Sequence, residues 1–331
     1  TDLTGMELAN ASLLDESTAA AEAMALLFAV RERQQKKDGV NKFFVSEDIL
    51  PQTLSLLQTR ATPIGIELVI GDHKTFDFSS EFFAAILQYP GKSGKVYDFR
   101  SFVADANKNQ IKVAVAADIL SLVKLESPGS FGVDVVVGTT QRFGIPLGYG
   151  GPHAAYFATK EAYKRNIPGR IIGVTRDTKG NRALRMALQT REQHIKRDKA
   201  TSNICTAQAL LAVMSSMYAV YHGPVGLRKI ASEIHNQTRA LAGALAELGY
   251  TNVNERFFDT LKIEVGKNFE NIRMTAIEKG LNLRYFEDEE HIGISLNETV
   301  NHEDIIGLVS VFVNKQDFPA VANHGKDVSQ D

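Results

Sequence analysis

Cysteine is nearly absent from this sequence, which has Cys205 alone among 331 residues. A single thiol excludes an internal disulfide framework and a cysteine-based metal cluster. Because Cys205 lies in an apolar stretch, it fits a buried core thiol better than a reactive one. The sequence also lacks any apolar run near the roughly 18 to 20 residues of a membrane span, so we expect no membrane partner.

The net charge of the chain is also small. The 37 basic and 39 acidic residues sum to −2, which argues against a nucleic-acid partner held by bulk charge. The charge is unevenly placed, because residues 160–199 contain 12 Lys or Arg against four acids, a local excess of +8. Two interpretations remain open: a solvated helix and loop face, or a docking surface for an acidic protein or a phosphorylated group.

Common catalytic signatures are missing as well. The eight histidines never form His-Glu-x-x-His or another zinc-binding spacing, so we predict no metal site. No Gly-x-Ser-x-Gly nucleophile elbow occurs. The glycine-rich stretch at 148–152 lacks the Lys-Ser/Thr of a nucleotide-binding loop, and a tight turn explains it as well as a ligand role does.

What is present is an alternation of helical and strand-like segments. Apolar residues recur at helical spacing over 16–36, with Asp15 placed to cap the helix. The apolar runs at 111–116 and 134–137 suit strands that are covered on both faces. Alternation with short connections predicts an α/β fold with a doubly wound, mostly parallel sheet. The predicted strands are 42–46, 67–70, 84–88, 111–116, 134–137 and 154–158.

A change to long helices from about residue 184 indicates a second domain. The spacing predicts helices over 204–221 and 225–248, the latter ending at Gly249. Strands at 260–265, 282–286 and 291–296, with helices at 269–279 and 302–314, complete a smaller α+β domain. We therefore predict a large domain over 1–224, a small domain over 225–314 joined through the 225–248 helix, and a polar tail or linker over 315–331.

Polar residues follow two predicted strands at the edge where open α/β sheets bind ligands. Asp118 ends the strand at 113–117, and the next strand is followed by Thr139, Thr140, Gln141 and Arg142. A carboxylate beside hydroxyls and a cation could form a pocket, although structural caps look the same. The helix start at 15–18 is favoured as a capped structural helix over a phosphate site, because two carboxylates already occupy its positive end.

Six stretches carry long and specific motifs: NASLLDESTAAAEAM at 10–24, QRFGIPLGYGGPHAA at 141–155, PGRIIGV at 168–174, QTREQHI at 189–195, SNICT at 202–206 and YHGPVGL at 221–227. In these motifs the chain resembles the glycine decarboxylase P-protein family of the glycine cleavage system, from Asp2 to about Phe312. The resemblance implies fold type I of the pyridoxal-phosphate enzymes. It also implies glycine decarboxylation, with transfer of the aminomethyl group to lipoyl H-protein.

P-proteins contain two related halves, fused or made as separate subunits, and this chain is similar to the amino half. The family implies that only the carboxyl half holds pyridoxal phosphate on a lysine. At that position this chain has Arg142, or Gln141 with a shifted gap. A guanidinium stays protonated and cannot act as an amine nucleophile. The carboxylate for the pyridinium nitrogen is also displaced, to Asp118, and Glu16 stands at the would-be phosphate helix.

The resemblance therefore implies a degenerate cofactor pocket and no catalytic residue in this half. The candidate pocket residues are Ser17, Thr18, Asp118, Thr139, Thr140, Gln141, Arg142 and His153. The expected partners are the carboxyl-terminal half or β subunit and the lipoyl H-protein, in a homo-oligomer or pseudo-dimer. The expected location is cytoplasmic in a bacterium and the mitochondrial matrix in a eukaryote.

Two other functions stay open from the sequence. The chain could be an enzyme by itself, with pyridoxal phosphate on an unusual lysine such as Lys160 or Lys199, although neither follows the 134–137 strand. It could also be a binding module whose emptied pocket holds a small anion on Arg142, Thr140 and His153. Since the chain starts at a threonine, we expect it to be a piece of a longer protein.

Overall fold

The computed structural model describes residues 1–151, 153–188, 193–200 and 208–313. Cys205, the motif at 202–206 and the predicted tail at 315–331 lie outside the described residues. The chain separates into two compact units, Thr1–Glu233 with Arg256–Phe258, and Ile234–Glu255 with the residues from Asp259 onward. The domain bounds predicted at 224, 225 and 314 stay predictions.

A seven-stranded sheet forms the centre of the first unit, in the order β1-β7-β6-β5-β4-β2-β3. Strands β2 to β6 run parallel, whereas at one edge β7 pairs antiparallel with β6 and β1 pairs antiparallel with β7. The predicted doubly wound, mostly parallel sheet is confirmed. The strands are β1 (Leu8–Ala9), β2 (Lys42–Ser46), β3 (Glu67–Gly71), β4 (Phe82–Tyr89), β5 (Lys112–Ala117), β6 (Val135–Thr139) and β7 (Ala155–Thr159).

Helices cover both faces of this sheet. They are α1 (Glu16–Ala29), α3 (Pro51–Ala61) and α4 (Arg100–Lys108). The short helices α2 (Arg33–Lys37) and α5 (Gln193–Lys196) also belong to this unit. The prediction of one helix over 16–36 is wrong, because α1 stops at Ala29 and a new helix begins. Glu32 and Gln35 form a reciprocal capping box at the start of α2, in which each side chain accepts the backbone N–H of the other residue. These bonds replace the intrahelical bonds that a continuous helix would make.

The core lies on both sides of the sheet. Alanines of α1 are fully buried against the strands, and their small side chains let the helix approach closely, with Met24 and Leu27 filling the space between. On the other face, Phe102 and Val103 of α4 join a cluster of aromatic side chains. Strand β4 is buried over its whole length, as a central strand with two covered faces should be.

A separate two-stranded ribbon follows the sheet, formed by β8 (Ile171–Arg176) and β9 (Arg182–Ala187). The helix-and-loop interpretation of residues 160–199 is therefore wrong for this stretch. The turn is stabilised by Asp177, which accepts hydrogen bonds from the backbone N–H groups of Lys179 and Asn181. Gly180 adopts a left-handed φ of 85°, which only glycine takes without strain.

The long helix α6 (Ala209–Glu247) is broken inside its length. Gly223 has φ 59° and ψ −178°, and Pro224 follows it without a backbone N–H to continue the hydrogen-bond ladder. This break lies where the two predicted helices meet. By length and composition α6 is the single helix among the described residues that could cross a membrane, so the prediction that no apolar run approaches a membrane span is wrong for this segment. Core helices of soluble proteins meet the same criteria.

The second unit contains a four-stranded antiparallel sheet in the order β10-β11-β13-β12. Its strands are β10 (Thr251–Asn252), β11 (Thr260–Glu264), β12 (Arg284–Tyr285) and β13 (His291–Ser295), and its helices after α6 are α7 (Phe269–Glu278) and α8 (His302–Val309). Helix α8 ends five residues before the predicted 314, because the turn tightens there: the N–H groups of Val311 and Phe312 donate to the carbonyls of Leu308 and Val309, three residues back.

Candidate functional site

The carboxyl ends of three parallel strands and the start of α1 meet at one edge of the large sheet. Gln88 lies near the end of β4, Asp118 directly follows β5, and Thr139 ends β6. Glu16, the first residue of α1, contacts this edge because α1 lies across β4 to β7. Sequence positions more than 100 residues apart therefore form one polar cluster at the ligand-binding edge of the sheet.

An ion pair occupies the centre of the predicted pocket. Arg142 Nη1 lies 3.3 Å from Asp118 Oδ2, and each side chain is only 22% exposed. The same carboxylate accepts the backbone N–H groups of Leu120 at 3.2 Å and Ser121 at 3.3 Å. Asp118 is thus both a structural cap for the turn after β5 and the partner of Arg142.

Glu16 has an unusual protonation equilibrium for a carboxylic acid. Burial raises its pKa from the usual 4.5 to about 7. The nearby carboxylates of Asp118 and Asp15 also raise it, and hydrogen bonds lower it in part. One of these comes from Gln88, whose Nε2 donates to Glu16 Oε1 at 3.3 Å. Near neutral pH this carboxyl group is therefore divided between its neutral and charged forms.

Three residues of this cluster were missed in the sequence analysis. Gln88 was predicted only as a strand residue, yet its buried Oε1 atom has no hydrogen-bond partner among the described residues. Tyr156 donates its hydroxyl to the carbonyl oxygen of Ala117 at 2.7 Å, and burial raises its pKa well above 10. A Cβ on Gly138 would lie 2.2 Å from that same carbonyl oxygen, so the neighbouring strand needs glycine there. The sequence signal that could have identified Gln88 is a polar residue inside an otherwise apolar strand.

The remaining predicted residues after β6 bond mostly to each other and to backbone. Thr139 Oγ1 lies 3.2 Å from His153 Nδ1 and accepts the backbone N–H of Gln141 at 3.1 Å. Thr140 Oγ1 donates to the carbonyl of Ala154 at 2.8 Å. The three residues of the anion-binding alternative, Arg142, Thr140 and His153, thus each have a protein partner.

The start of α1 is a capped helix. Asp15 accepts the backbone N–H of Thr18 at 2.7 Å and its hydroxyl at 3.1 Å, as expected for the N-cap. Ser17 Oγ lies 3.1 Å from Thr53 Oγ1 of α3. The favoured interpretation of 15–18 as a structural cap is consistent with this geometry, because the capping carboxylate takes the N–H that a phosphate would need.

An open cleft of about 670 Å³ adjoins the cluster. Its lining carries two acids and no lysine or arginine among the described residues, and consists of Asp15, Glu16, Ser17, Leu50, Gln52, Ser55, Leu56, Thr59, Thr139, Gly150 and His153. Such a lining favours neutral or cationic groups over anions.

Lys160, one of the two lysines considered for an autonomous enzyme, does not line this cleft. Lys160 Nζ lies 2.8 Å from the buried Asp134, which directly precedes β6 and so sits at the opposite edge of the sheet. Tyr163 donates to the same carboxylate at 2.9 Å, which makes this a structural cluster. The side chain of Lys199 is outside the described part of the chain. No three His, Cys, Asp or Glu side chains meet as a metal site anywhere in the ranges described.

The fold defines the class of protein to which this chain belongs. An aspartate aminotransferase from Thermus thermophilus matches with a TM-score of 0.63 at 16% identity, over 94% of this chain and 85% of that one. At this identity the likeness shows the fold alone. The fold is that of the pyridoxal-phosphate enzymes of fold type I, as the sequence resemblance implied.

The chain belongs to the glycine cleavage system P-protein family, whose model matches residues 1–312. A crystal structure of glycine decarboxylase (P-protein) in inhibitor-bound form matches with a TM-score of 0.84 at 31% identity, over 94% of this chain and 72% of that chain. A glycine dehydrogenase (decarboxylating) from Christiangramia forsetii is 63% identical over 94% of this chain. The chain spans about a third of that relative's length, 32%.

Pyridoxal phosphate, which this fold class implies, does not fit the described residues of the site. The cleft offers no amine for the cofactor aldehyde, and Arg142 is paired with Asp118. The start of α1 presents Glu16 and the capping Asp15 where a phosphate would meet like charges. These residues therefore suit neither a covalent bond to the aldehyde nor the phosphate group.

Proposed function

We propose that this chain is the amino-terminal, non-catalytic half of a glycine dehydrogenase (decarboxylating). The observation that carries the proposal is the Arg142–Asp118 ion pair. The family resemblance places the cofactor lysine at Arg142, or at Gln141 with a shifted gap, so this pair lies where the lysine is expected. Decarboxylation of glycine then takes place in the carboxyl-terminal half or β subunit, where bound pyridoxal phosphate supplies the electron sink. The residues of this half have a structural role beside that site.

The exposed face of α6 supports a permanent partner for this half. Leu210 is 72% exposed, Met217 is 59% exposed and Val220 is 71% exposed, at helical spacing on one side of the helix. The chain has no Asp, Glu, Lys or Arg from 209 to 227. An uncharged apolar face of this kind is typical of an obligate interface, so we assign it to contact with the carboxyl-terminal half.

The basic segment at 160–199 supports a second, transient partner. Its excess of +8 stands against −10 for the rest of the chain, whose sum is −2. A concentrated positive surface speeds the approach of an acidic protein and adds less to lasting affinity. We assign it to the lipoyl H-protein, which receives the aminomethyl group.

Cofactor labelling tests the assignment of this half as non-catalytic. The purified chain is mixed with pyridoxal phosphate, its visible spectrum is recorded, and borohydride reduction is followed by peptide mapping. We expect a colourless protein without a stoichiometrically reduced lysine, whereas the carboxyl-terminal half treated in parallel retains colour and one labelled lysine. One fully labelled lysine in this chain would instead establish an enzyme and identify its residue.

Reconstitution provides the complementary measurement. Mixing this chain with the carboxyl-terminal half should restore H-protein-dependent glycine decarboxylation that neither half shows alone. Equal activity of the carboxyl-terminal half with and without this chain would contradict the proposed role.

A further inference from the structure

The ribbon of β8 and β9 has one outward face with a definite composition. Its three cross-strand pairs are Ile172 with Met186, Val174 with Leu184, and Arg176 with Arg182. Val174 is 64% exposed and Leu184 is 67% exposed. The outward face is therefore an apolar strip that ends in two arginines at the turn.

Two arginines directly opposite each other are unfavourable in an isolated ribbon, because like charges on facing strands repel. The acid nearest in sequence does not compensate them: Asp177 is held by the backbone N–H groups of Lys179 and Asn181. Arg176 donates to the carbonyl of Gly180 at 2.8 Å. Within the described ranges neither guanidinium has a carboxylate at ion-pair distance, so this part of the chain leaves both charges available for a partner.

Two planar guanidinium groups side by side match a carboxylate from another molecule. Each offers parallel N–H donors, which bind carboxylates with defined geometry, and the apolar strip beside them suits a partner with an apolar patch next to its acid. The face of α6 around Met217 is different, since it has no charge. A mixed apolar and cationic face fits an exchanging partner, whereas the uncharged face fits a lasting one.

We propose that the outward face of this ribbon is the docking surface for the lipoyl H-protein, with Arg176 and Arg182 together receiving one carboxylate of that protein. Val174 and Leu184 contact the apolar surface beside it. This inference rests on the proposed function. It narrows the predicted contact with H-protein from the basic segment at 160–199 to Arg176 and Arg182.

The test uses the enzyme assembled from both halves, with H-protein concentration as the variable. In Arg176→Glu/Arg182→Glu we expect the KM for H-protein to rise about tenfold or more, because two attractive contacts become repulsive. The matched control Arg165→Glu/Arg170→Glu changes the same number of exposed charges in the same basic segment, off the ribbon. It should change the KM less than about threefold, through long-range steering only.

A conservative variant separates geometry from charge. Arg176→Lys/Arg182→Lys keeps both charges but removes the parallel donors, so we expect an intermediate rise of about threefold to tenfold in the KM. Circular dichroism and glycine binding should match the unmodified enzyme in every variant. An equal effect of the ribbon and control variants, or an unchanged KM in both, would overturn the proposal.

Two further outcomes distinguish its failure from that of the proposed function. If the ribbon variant prevents the two halves from co-eluting on gel filtration, the ribbon is an interface between halves and the docking proposal is wrong. If the unmodified assembly of both halves transfers no aminomethyl group to H-protein, the proposed function itself fails. If transfer proceeds and only the ribbon variants are without effect, the docking surface alone is refuted.

Discussion

The carboxyl group of Glu16 gives the folded protein a pH-dependent stability that unfolding experiments can measure. Its pKa in the folded protein is about 7, above the usual 4.5 that we take for the unfolded chain. Between these two values the folded protein keeps a proton that the unfolded chain releases. The free energy of unfolding therefore falls as the pH rises from about 4.5, and this loss is complete just above pH 7.

The size of the effect follows from the shift. At 1.36 kcal/mol per pKa unit, Glu16 lowers the free energy of unfolding by about 2.5 kcal/mol between pH 5 and pH 8. Replacement by glutamine keeps the shape and removes the titration. We therefore expect the stability of Glu16→Gln relative to the unmodified chain to increase by about 2.5 kcal/mol over the same interval.

Urea unfolding at pH 5, 6, 7 and 8 measures this difference, because titrating groups remote from Glu16 contribute equally to both proteins and cancel. Glu233→Gln is the control, since Glu233 is an exposed acid of α6 in the same unit. Its difference from the unmodified chain should stay constant with pH. A constant difference for Glu16→Gln as well, or one that decreases as the pH rises, would refute the reasoning about the buried carboxyl group.

Four further substitutions test the packing and the proposed interface. Gly138→Ala places a Cβ 2.2 Å from a neighbouring carbonyl oxygen, so it should lower the free energy of unfolding by about 2 kcal/mol. Gly243→Ala in α6 adds a Cβ that meets open space, so it should raise the free energy of unfolding by about 0.5 kcal/mol. Urea titration measures both changes. Met217→Asp should leave the circular dichroism spectrum unchanged but weaken association with the carboxyl-terminal half at least tenfold by gel filtration, since a charge enters an apolar interface. Asp134→Ala leaves Lys160 without its buried partner and should cost about 3 kcal/mol in thermal or urea unfolding; a loss below 1 kcal/mol would contradict a structural role for this pair.

Local patterns were sufficient for most of the first unit. The N-cap at Asp15 and the strands β2, β5 and β6 follow from capping chemistry and apolar runs that neighbouring residues set by themselves. The ribbon of β8 and β9 was not predicted. Its outward face is an apolar strip that ends in Arg176 and Arg182, and a two-stranded ribbon is defined by cross-strand pairing that a local pattern does not reveal.

The candidate site, too, was predicted from the sequence only in part. From the sequence alone came the family resemblance, the edge of the sheet and the expectation that Arg142 or Gln141 stands in place of a lysine, because each depends on residue identity and order. Only the tertiary structure decided that Arg142 pairs with Asp118, 24 positions away, and that Glu16 meets Gln88, 72 positions away. Burial and distance between remote segments set the charge state of Glu16, and these quantities exist only once β4, β5 and α1 have packed together.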